Sequence, residues 1–379
     1  MHLFKFEKTG SHNIFRVLGL KVSFLRSRAR KAKKWLRRSI DPDKMTYYPQ
    51  CNRKSKDEIC KEIFELTFSG KGAYDHPTTT AQYFQFGCDR TGHDIRDYVF
   101  RQEYNTARNQ LNGEIACVYK YKSIISTYLK AKGVNASCAI GEILPDGRTL
   151  QLQSGRVNFI EWLKEYQAPV FCKPNDGIQG QSCYKVAIEN NQLVINGKIS
   201  AYSSELGGLI VEPLIVQHQE LRRISPHCVN PIRIRTINVN GTIQVISHYI
   251  CIGSVTSYWS NGASCGVMIG LDADGNCITD AFCEVPGMEG RYQVIPGTDI
   301  AVKDIKIPCM REAIELAKEA HRTTPQIYSL GWDIAITDNS PIVIEGNGDY
   351  GSGTYEAISG IGERELFERY FASKLHSAD

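Results

Sequence analysis

The stretch that most limits what this chain can fold into is GWDIAITDNSPIVIEGN, residues 331–347. Two β-branched runs flank Asp338, Asn339, Ser340 and Pro341, residue types that make turns. The spacing therefore predicts two short strands and a tight connection. Side chains alternate faces along a strand. Trp332, Ile334 and Ile336 then share one face, Asp333, Ala335 and Thr337 the other, and Glu345 shares a face with Asn347. If the connection has an odd number of residues, Asp333 lies opposite Glu345, with Asn347 one step along. Two carboxylates and a carboxamide oxygen would then occupy one small volume, which suits magnesium held partly by phosphate and water. An even connection would split the acids between faces and leave a hairpin with solvated carboxylates. An acidic pair alone favours that plainer outcome, so the upstream residues have to decide.

The chain has 379 residues, enough for two or three domains and a large core. At 42% apolar and 23% charged it has an ordinary globular composition. No apolar run reaches the roughly 18 residues of a membrane-spanning helix, so none is expected. Arg16 and Lys21 interrupt the apolar residues of the N-terminus, so a signal peptide is not expected either. The 13 cysteines are spread without a Cys-x-x-Cys pair. They predict reduced core thiols in a cytosolic protein, not a disulfide frame or a zinc site. The net charge of +4 hides an asymmetry. Residues 1–44 hold 13 Lys and Arg against Glu7, Asp41 and Asp43, a net of +10, so the remainder is −6.

Residues 1–44 form a basic extension, with RSRARKAKKWLRR at 26–38 at helical length around Trp35 and Leu36. A basic helix with a tryptophan suits an anionic membrane surface, a solvated extension being the competing reading. Nucleic acid is not expected, because no binding motif accompanies the patch. Residues 45–116 are mainly helical by pattern: 56–68 carries Ile59, Ile63, Phe64 and Phe68 at helical spacing, a loop is expected through residue 80, and 97–111 is a further helix. From 117 the pattern turns α+β. Residues 121–132 predict a helix ended by Gly133, with Lys122 at its start. Residues 168–172 predict a buried strand running into Lys173, then a glycine loop, then a strand at 183–188. Such a loop can close its backbone NH groups over phosphates, though on its own a plain turn is the favoured reading. GLIVEPLIV at 208–216 is an apolar strand containing Glu212 and broken by Pro213. IRIRTINV at 232–239 places Arg233 and Arg235 on one strand face. Two guanidiniums on a core strand need anions, either phosphate or buried acids such as Asp333. Strands at 242–253 and 265–272, a helix at 309–321, the hairpin and a last helix at 363–375 complete the chain.

The order Lys122, Lys173 with its glycine loop, Val211-Glu212-Pro213-Leu214, Arg233, then Asp333 and Glu345-x-Asn347 resembles the ATP-grasp superfamily. More closely it is similar to the sugar-transfer-associated ATP-grasp group linked to bacterial surface polysaccharides. FCKPNDGIQGQS, VEPLIVQHQEL, CVNPIRIRT and the hairpin carry that likeness, over roughly residues 117–350. Residues 13–24 also resemble short basic segments found beside some glycosyltransferases. The resemblance implies an α+β ATP-grasp fold, two α+β lobes clasping ATP behind a mainly helical N-terminal region. Expected divisions are 1–44, 45–116, a small lobe at 117–207 and a large lobe with the metal site at 208–379.

The resemblance also assigns roles. Lys122 and Lys173 would hold the α- and β-phosphates, and Gly177, Gly180 and Gln181 would belong to a mobile lid. Glu212 and the Leu214 backbone would meet the adenine, and Glu220 the ribose, with Gln219 or His218 as alternatives. Asp333, Glu345 and Asn347 would hold two magnesium ions. Arg233 would face the γ-phosphate, with Arg235 assisting. Thr236 matches without a chemical role, and Pro231 stands where a small polar residue is expected. The implied function is an ATP-dependent carboxylate–amine ligase that forms an amide through an acyl phosphate. Its substrates would be an amino acid or small amine and a uronic-acid sugar or glycan precursor, in the cytoplasm or at the inner membrane face. The acceptor pocket is assigned by exclusion to residues 260–264 and 346–353. A kinase of the same fold and a non-enzymatic basic adaptor are the alternatives.

Overall fold

In the computed structural model of the protein, the described residues are 30–68, 76–176, 182–200, 204–253, 266–351 and 353–376. The chain divides into two compact units, residues 1–95 and 96–379. In the first unit, residues 30–38 are helical, leaving Trp35 53% exposed while Leu36 is buried. Lys56–Phe68 follows, with Asp57 and Glu58 in its first turn, where carboxylates meet the positive end of the helix dipole. Ile59 and Ile63 are buried at the spacing the pattern predicts. The loop expected through residue 80 is instead helical from His76 to Gln85. Its proline falls in the first turn, where proline is tolerated and does not signal a loop. Residues 13–24 lie outside the described residues, as do 26–29 of the basic run.

The second unit is built on two sheets. The first contains β1 (Gly141–Ile143), β2 (Thr149–Leu152), β3 (Gly155–Asn158), β4 (Val170–Pro174), β5 (Tyr184–Glu189), β6 (Gln192–Ile195), β7 (Lys198–Ile199) and β8 (Leu209–Pro213). Their order is β3-β2-β1-β8-β4-β5-β6-β7. Ile143, Leu150, Val170, Cys172, Val186 and Val211 pack against Phe159 and Leu163 of the helix Phe159–Tyr166. The second sheet contains β9 (Ile232–Val239), β10 (Thr242–Gly253), β11 (Gly266–Gly270), β12 (Ala281–Cys283), β13 (Gly290–Tyr292), β14 (Ser329–Ile336) and β15 (Pro341–Asn347), ordered β13-β12-β11-β10-β9-β14-β15.

The sheets do not follow the expected divisions of the chain. β8 pairs Val211 with Gly141 of β1 and with Cys172 of β4, so the boundary expected at 208 falls one strand early. Its apolar run looks like the start of a new lobe, but its backbone groups complete the first sheet. The helix Lys122–Ala131 puts Ile125 and Leu129, with Val134, into the core of the second sheet. Ser137 N then donates to Val343 O at 2.8 Å, and Val343 N to Asn135 O at 2.9 Å. Residues from 122 to 137 thus belong by packing to the second sheet, although a first-lobe start was expected at 117.

The faces of the second sheet differ in character. Ile232, Ile234, Trp332, Ile334 and Ile336 are buried with Ala313, Leu316, Ala317 and Ala320 of the helix Met310–Arg322. The alternate residues Arg233, Arg235 and Asp333 point the other way, as period-2 geometry requires. Further along that polar face, Ile237 is covered by Tyr104, Tyr350, Phe367 and Phe371. The last helix runs from Arg364–Phe367 through a wider turn at Glu368–Ala372 to Ser373–His376. Among the described residues no helix is long and apolar enough to cross a membrane.

Candidate active site

The hairpin forms, and its acids meet by a different route from the one foreseen. Ile336 pairs with Pro341, so the connection is residues 337–340, an even number. An unbroken ladder would place Ile344 opposite Asp333. Instead the register shifts between Asp333 and Ile334, with Ile334 paired to Val343 and Asp333 to Glu345. Ile344 is the extra residue of a β-bulge, and one inserted residue restores the alternation that the even turn had lost. Asn347 Nδ2 lies 3.5 Å from Asp333 Oδ2 and 3.3 Å from Glu345 Oε1, so the three side chains converge.

The row extends across the sheet. Asp333 is opposite Arg233, and Arg233 is opposite Tyr249 of β10. Arg233 donates from Nε to Asp333 Oδ1 at 2.5 Å and from its terminal nitrogen to Oδ2 at 2.9 Å. Burial pushes the Asp333 carboxyl up to about 6, with Arg233 opposing and Glu345 adding to the rise. Burial would raise Glu345 too, but Lys122, Lys173 and Arg233 outweigh it and hold Glu345 below its ordinary value. Two like charges in one volume thus titrate apart. Pro231, the departure from the expected pattern, accepts from Cys251 N at 2.9 Å and so continues the β9 ladder without needing a donor of its own.

The lysines come from different elements, Lys122 from the helix packed on the second sheet and Lys173 from β4 of the first. Lys122 Nζ lies 3.8 Å from Glu345 Oε2. Lys122 N donates to Asn175 O at 3.0 Å and Ser123 N to Asn175 Oδ1 at 2.9 Å, so the residue after Lys173-Pro174 caps the helix that carries Lys122. Lys173, 4% exposed, pairs with Glu212 at 2.9 Å. Burial disfavours the Lys173 ammonium, but Glu212 and Glu345 outweigh burial and raise it. Ser137 Oγ donates to the same Glu212 oxygen at 3.0 Å, while Oε1 of this buried glutamate has no partner among the described residues.

The remaining expected residues divide. Leu214 N donates to Pro169 O at 3.4 Å, a long bond. Glu220 sits in the first turn of Gln219–Ile224, exposed, 3.6 Å from Arg223. That helix is tied to the hairpin turn, since Gln219 N donates to Asp338 Oδ1 at 3.0 Å and Arg222 lies 3.2 Å from Asp338. Arg235 is not brought to the acids. It is 1% exposed, bonded to Ser247 and paired with Glu363. Thr236 acquires a role on the apolar face, where Trp332 Nε1 donates to its Oγ1 at 2.9 Å and His321 Nδ1 lies 2.7 Å away. Gly177, Gly180 and Gln181 lie outside the described residues, as do 260–264. Tyr249 and Glu363 were not singled out by sequence reading. Strand pairing and a packed C-terminal segment bring them here, and neither leaves a local signal.

The family model for sugar-transfer associated ATP-grasp proteins matches residues 170–366, just over half of the chain. The protein belongs to the sugar-transfer-associated ATP-grasp family. No curated protein matches the chain. Among solved structures, this ATP-grasp protein is similar to carboxyaminoimidazole ribonucleotide synthase from Aspergillus clavatus, complexed with ATP: 9% identity, 62% of this chain and 46% of that one, TM-score 0.39. It is similar to an L-amino acid ligase from Bacillus licheniformis at 12% identity, 63% of this chain and 42% of that one, TM-score 0.35. The ATP-grasp ligase PsnB, complexed with minimal precursor, is similar at 12% identity, 69% of this chain and 63% of that one, TM-score 0.38. The chain spans less than two thirds of the length of each of these proteins.

The donor set of this ATP-grasp protein fits a magnesium nucleotide better than a free-standing metal centre. Among the described residues no group of three His, Cys, Asp or Glu could cage a metal ion. Two carboxylates and one carboxamide do converge, the set magnesium uses when phosphate and water complete its shell. Asn347 turns its amide nitrogen toward the acids, and rotation of the amide would present Oδ1 to a cation. The partnerless Glu212 Oε1 beside Lys173 is an acceptor that an amino group on a ligand would satisfy.

Proposed function

We propose that this protein is an ATP-dependent carboxylate–amine ligase. The observation that carries the reading is the cross-strand row of Arg233, Asp333 and Glu345, with Asn347 beside it and Lys122 against Glu345. In the reaction, ATP passes its γ-phosphoryl group to a carboxylate oxygen, giving an acyl phosphate and ADP. An amine then attacks the carbonyl carbon, the bond to the phosphate oxygen breaks, phosphate leaves, and the amine gives up a proton.

Lys122 and Lys173 hold the α- and β-phosphates as compact charges. Glu212 Oε1 accepts from the adenine amine, the Leu214 backbone completes that contact, and Glu220 meets the ribose. Gly177, Gly180 and Gln181 form the lid that excludes water. Asp333, Glu345 and Asn347 would hold magnesium, which would supply positive charge to the phosphoryl oxygens. Arg233 stabilises the transferring phosphoryl group and the tetrahedral species that follows. Its present bidentate hold on Asp333 means that Arg233 must give up part of that pair when nucleotide and metal arrive. Arg235, held by Glu363, supports the strand. The family's association with sugar transfer supports a uronic-acid sugar or glycan precursor as the carboxylate, in surface or capsular polysaccharide synthesis at the cytoplasmic side of the membrane.

The test is ADP and phosphate release from purified protein with ATP and magnesium, over a matrix of uronic acids and nucleotide-linked uronic acids against amines. Mass spectrometry reads the products. The expected product has the condensed mass and is absent with Asp333→Asn. A product heavier by one phosphoryl group would make the protein a kinase.

A further inference from the structure

Beyond Glu345 and Asn347 the second unit has an open cleft of about 480 Å³, a size that holds a small metabolite. Lys122, Glu345 and Asn347 line one wall. The end of the helix Arg101–Asn112 and the turn of Glu114–Lys120 line another. The cleft therefore opens on the residues proposed to hold the metal and phosphates. Lys122 is committed to Glu345, and Asp349 to Arg108. Among the described lining residues, Glu114, Asp176 and Lys120 remain to offer charge to a ligand, and all three are exposed. Their signs are mixed. The terminal carbonyls of Arg101–Asn112 add partial negative charge on the side of Glu114.

A ligand with an ammonium and a carboxylate uses both signs, whereas a simple amine or a simple acid uses one. We infer that this cleft is the amine subsite of the ligase and that it takes a zwitterionic α-amino acid, ammonium toward Glu114 and carboxylate toward Lys120. The inference rests on the ligase reading and sharpens it, moving the amine to the 109–122 side of the acids. In the step it serves, the ammonium first gives one proton to the Glu114 carboxylate; the free amine then forms the new C–N bond as the C–O bond to phosphate breaks, and its second proton leaves with the departing phosphate.

Cys117 lines the same cleft and is an exposed free thiol, so occupancy can be read without turnover. Cys309 is also an exposed free thiol and does not line the cleft, which makes it a reference in the same sample. The full-length protein with MgADP is alkylated by iodoacetamide in the presence of each of the twenty standard amino acids, with ethylamine and propionate as half-ligands. Peptide mass spectrometry gives the rate at each thiol, and calorimetry gives the MgADP affinity. At about ten times its dissociation constant, the cognate amino acid slows alkylation of Cys117 roughly tenfold by mass action and leaves Cys309 unchanged. Ethylamine and propionate do not protect. Glu114→Gln and Lys120→Ala each remove the protection without changing MgADP affinity. If MgADP binds and no amino acid protects Cys117, or if ethylamine protects as well, the subsite is wrong. If MgADP does not bind at all, the ligase reading itself fails.

Discussion

Asp333 decides how this site behaves with pH. Asp333 is pushed up to about 6, so it carries a proton below that value and is a poor cation ligand there. Magnesium-dependent ADP affinity should fall as pH drops from 7 to 5, with the midpoint near 6. In Asp333→Asn the affinity should be low throughout and the pH dependence lost, which calorimetry at several pH values would check. The sign for stability is separate. A carboxyl raised by folding favours the native state at low pH, and that contribution is lost as pH rises through the folded value. Glu212 acts differently, as the counter-charge of a nearly buried lysine. Removing one partner of such a pair costs about 3–5 kcal/mol. Glu212→Gln should lower stability by about that amount in urea, and a fully stable variant would show that Lys173 does not depend on the pair. Glu212 and Lys173 could be picked out in the sequence because both sit in strands beside a glycine loop or a proline. Their mutual contact could not, because it depends on β8 lying next to β4.

The elements supply alignment. The even turn at 337–340 would separate Asp333 and Glu345, and the bulge at Ile344 brings them together. An alanine inserted between Ile344 and Glu345 should turn Glu345 toward the apolar face of the sheet. MgADP affinity should then fall at least roughly tenfold, as for other losses of metal support. Circular dichroism would confirm that the sheets remain, and unchanged affinity would show that the bulge absorbs the insertion. Glycine matters at the neighbouring position. A Cβ on Gly346 would come 2.6 Å from the Tyr119 ring and 2.7 Å from Trp332. Gly346→Ala should cost about 1–3 kcal/mol by overpacking, measured by denaturant unfolding. Strand periodicity made the faces of β9 and β14 legible, since 2.0-residue alternation needs only the order of residues. The bulge was not legible, because Ile344 is indistinguishable in type from the residues around it.

At the scale of the whole molecule, a buried polar cluster ties the C-terminal segment to the rest of the second unit. Glu356 Oε1 accepts from Val99 N and from Glu363 N, each at 2.9 Å, and Glu363 holds Arg235. Burial first, and Glu363 second, push the Glu356 carboxyl up to about 8. Its folded value lies above the unfolded value of 4.5, so the stability it gives is full below that value, declines as pH rises, and is gone above about 8. The melting temperature should therefore decline between pH 5 and 8, and Glu356→Gln should flatten that decline. The first unit carries a different expectation. Residues 30–38 form a basic helix with Trp35 53% exposed. If it meets the inner membrane face, Trp35→Ala should weaken sedimentation with anionic vesicles and leave ADP binding unchanged.

What the sequence determined by itself was chemistry in order: two lysines, a glutamate before a proline, an arginine on a core strand, and a carboxylate pair with an asparagine. Those types survive translation into three dimensions because strand alternation and apolar burial are local rules. The tertiary structure alone decided which residues answer one another. β8 joined the first sheet instead of opening the second, and Arg235 was taken by Glu363 instead of the acids. One extra residue in β15 set Glu345 opposite Asp333. The first two outcomes depend on backbone hydrogen bonds or burial between segments far apart in the chain, and no short window of sequence contains both partners; the third lies within one hairpin but turns on a bulge that residue types do not mark.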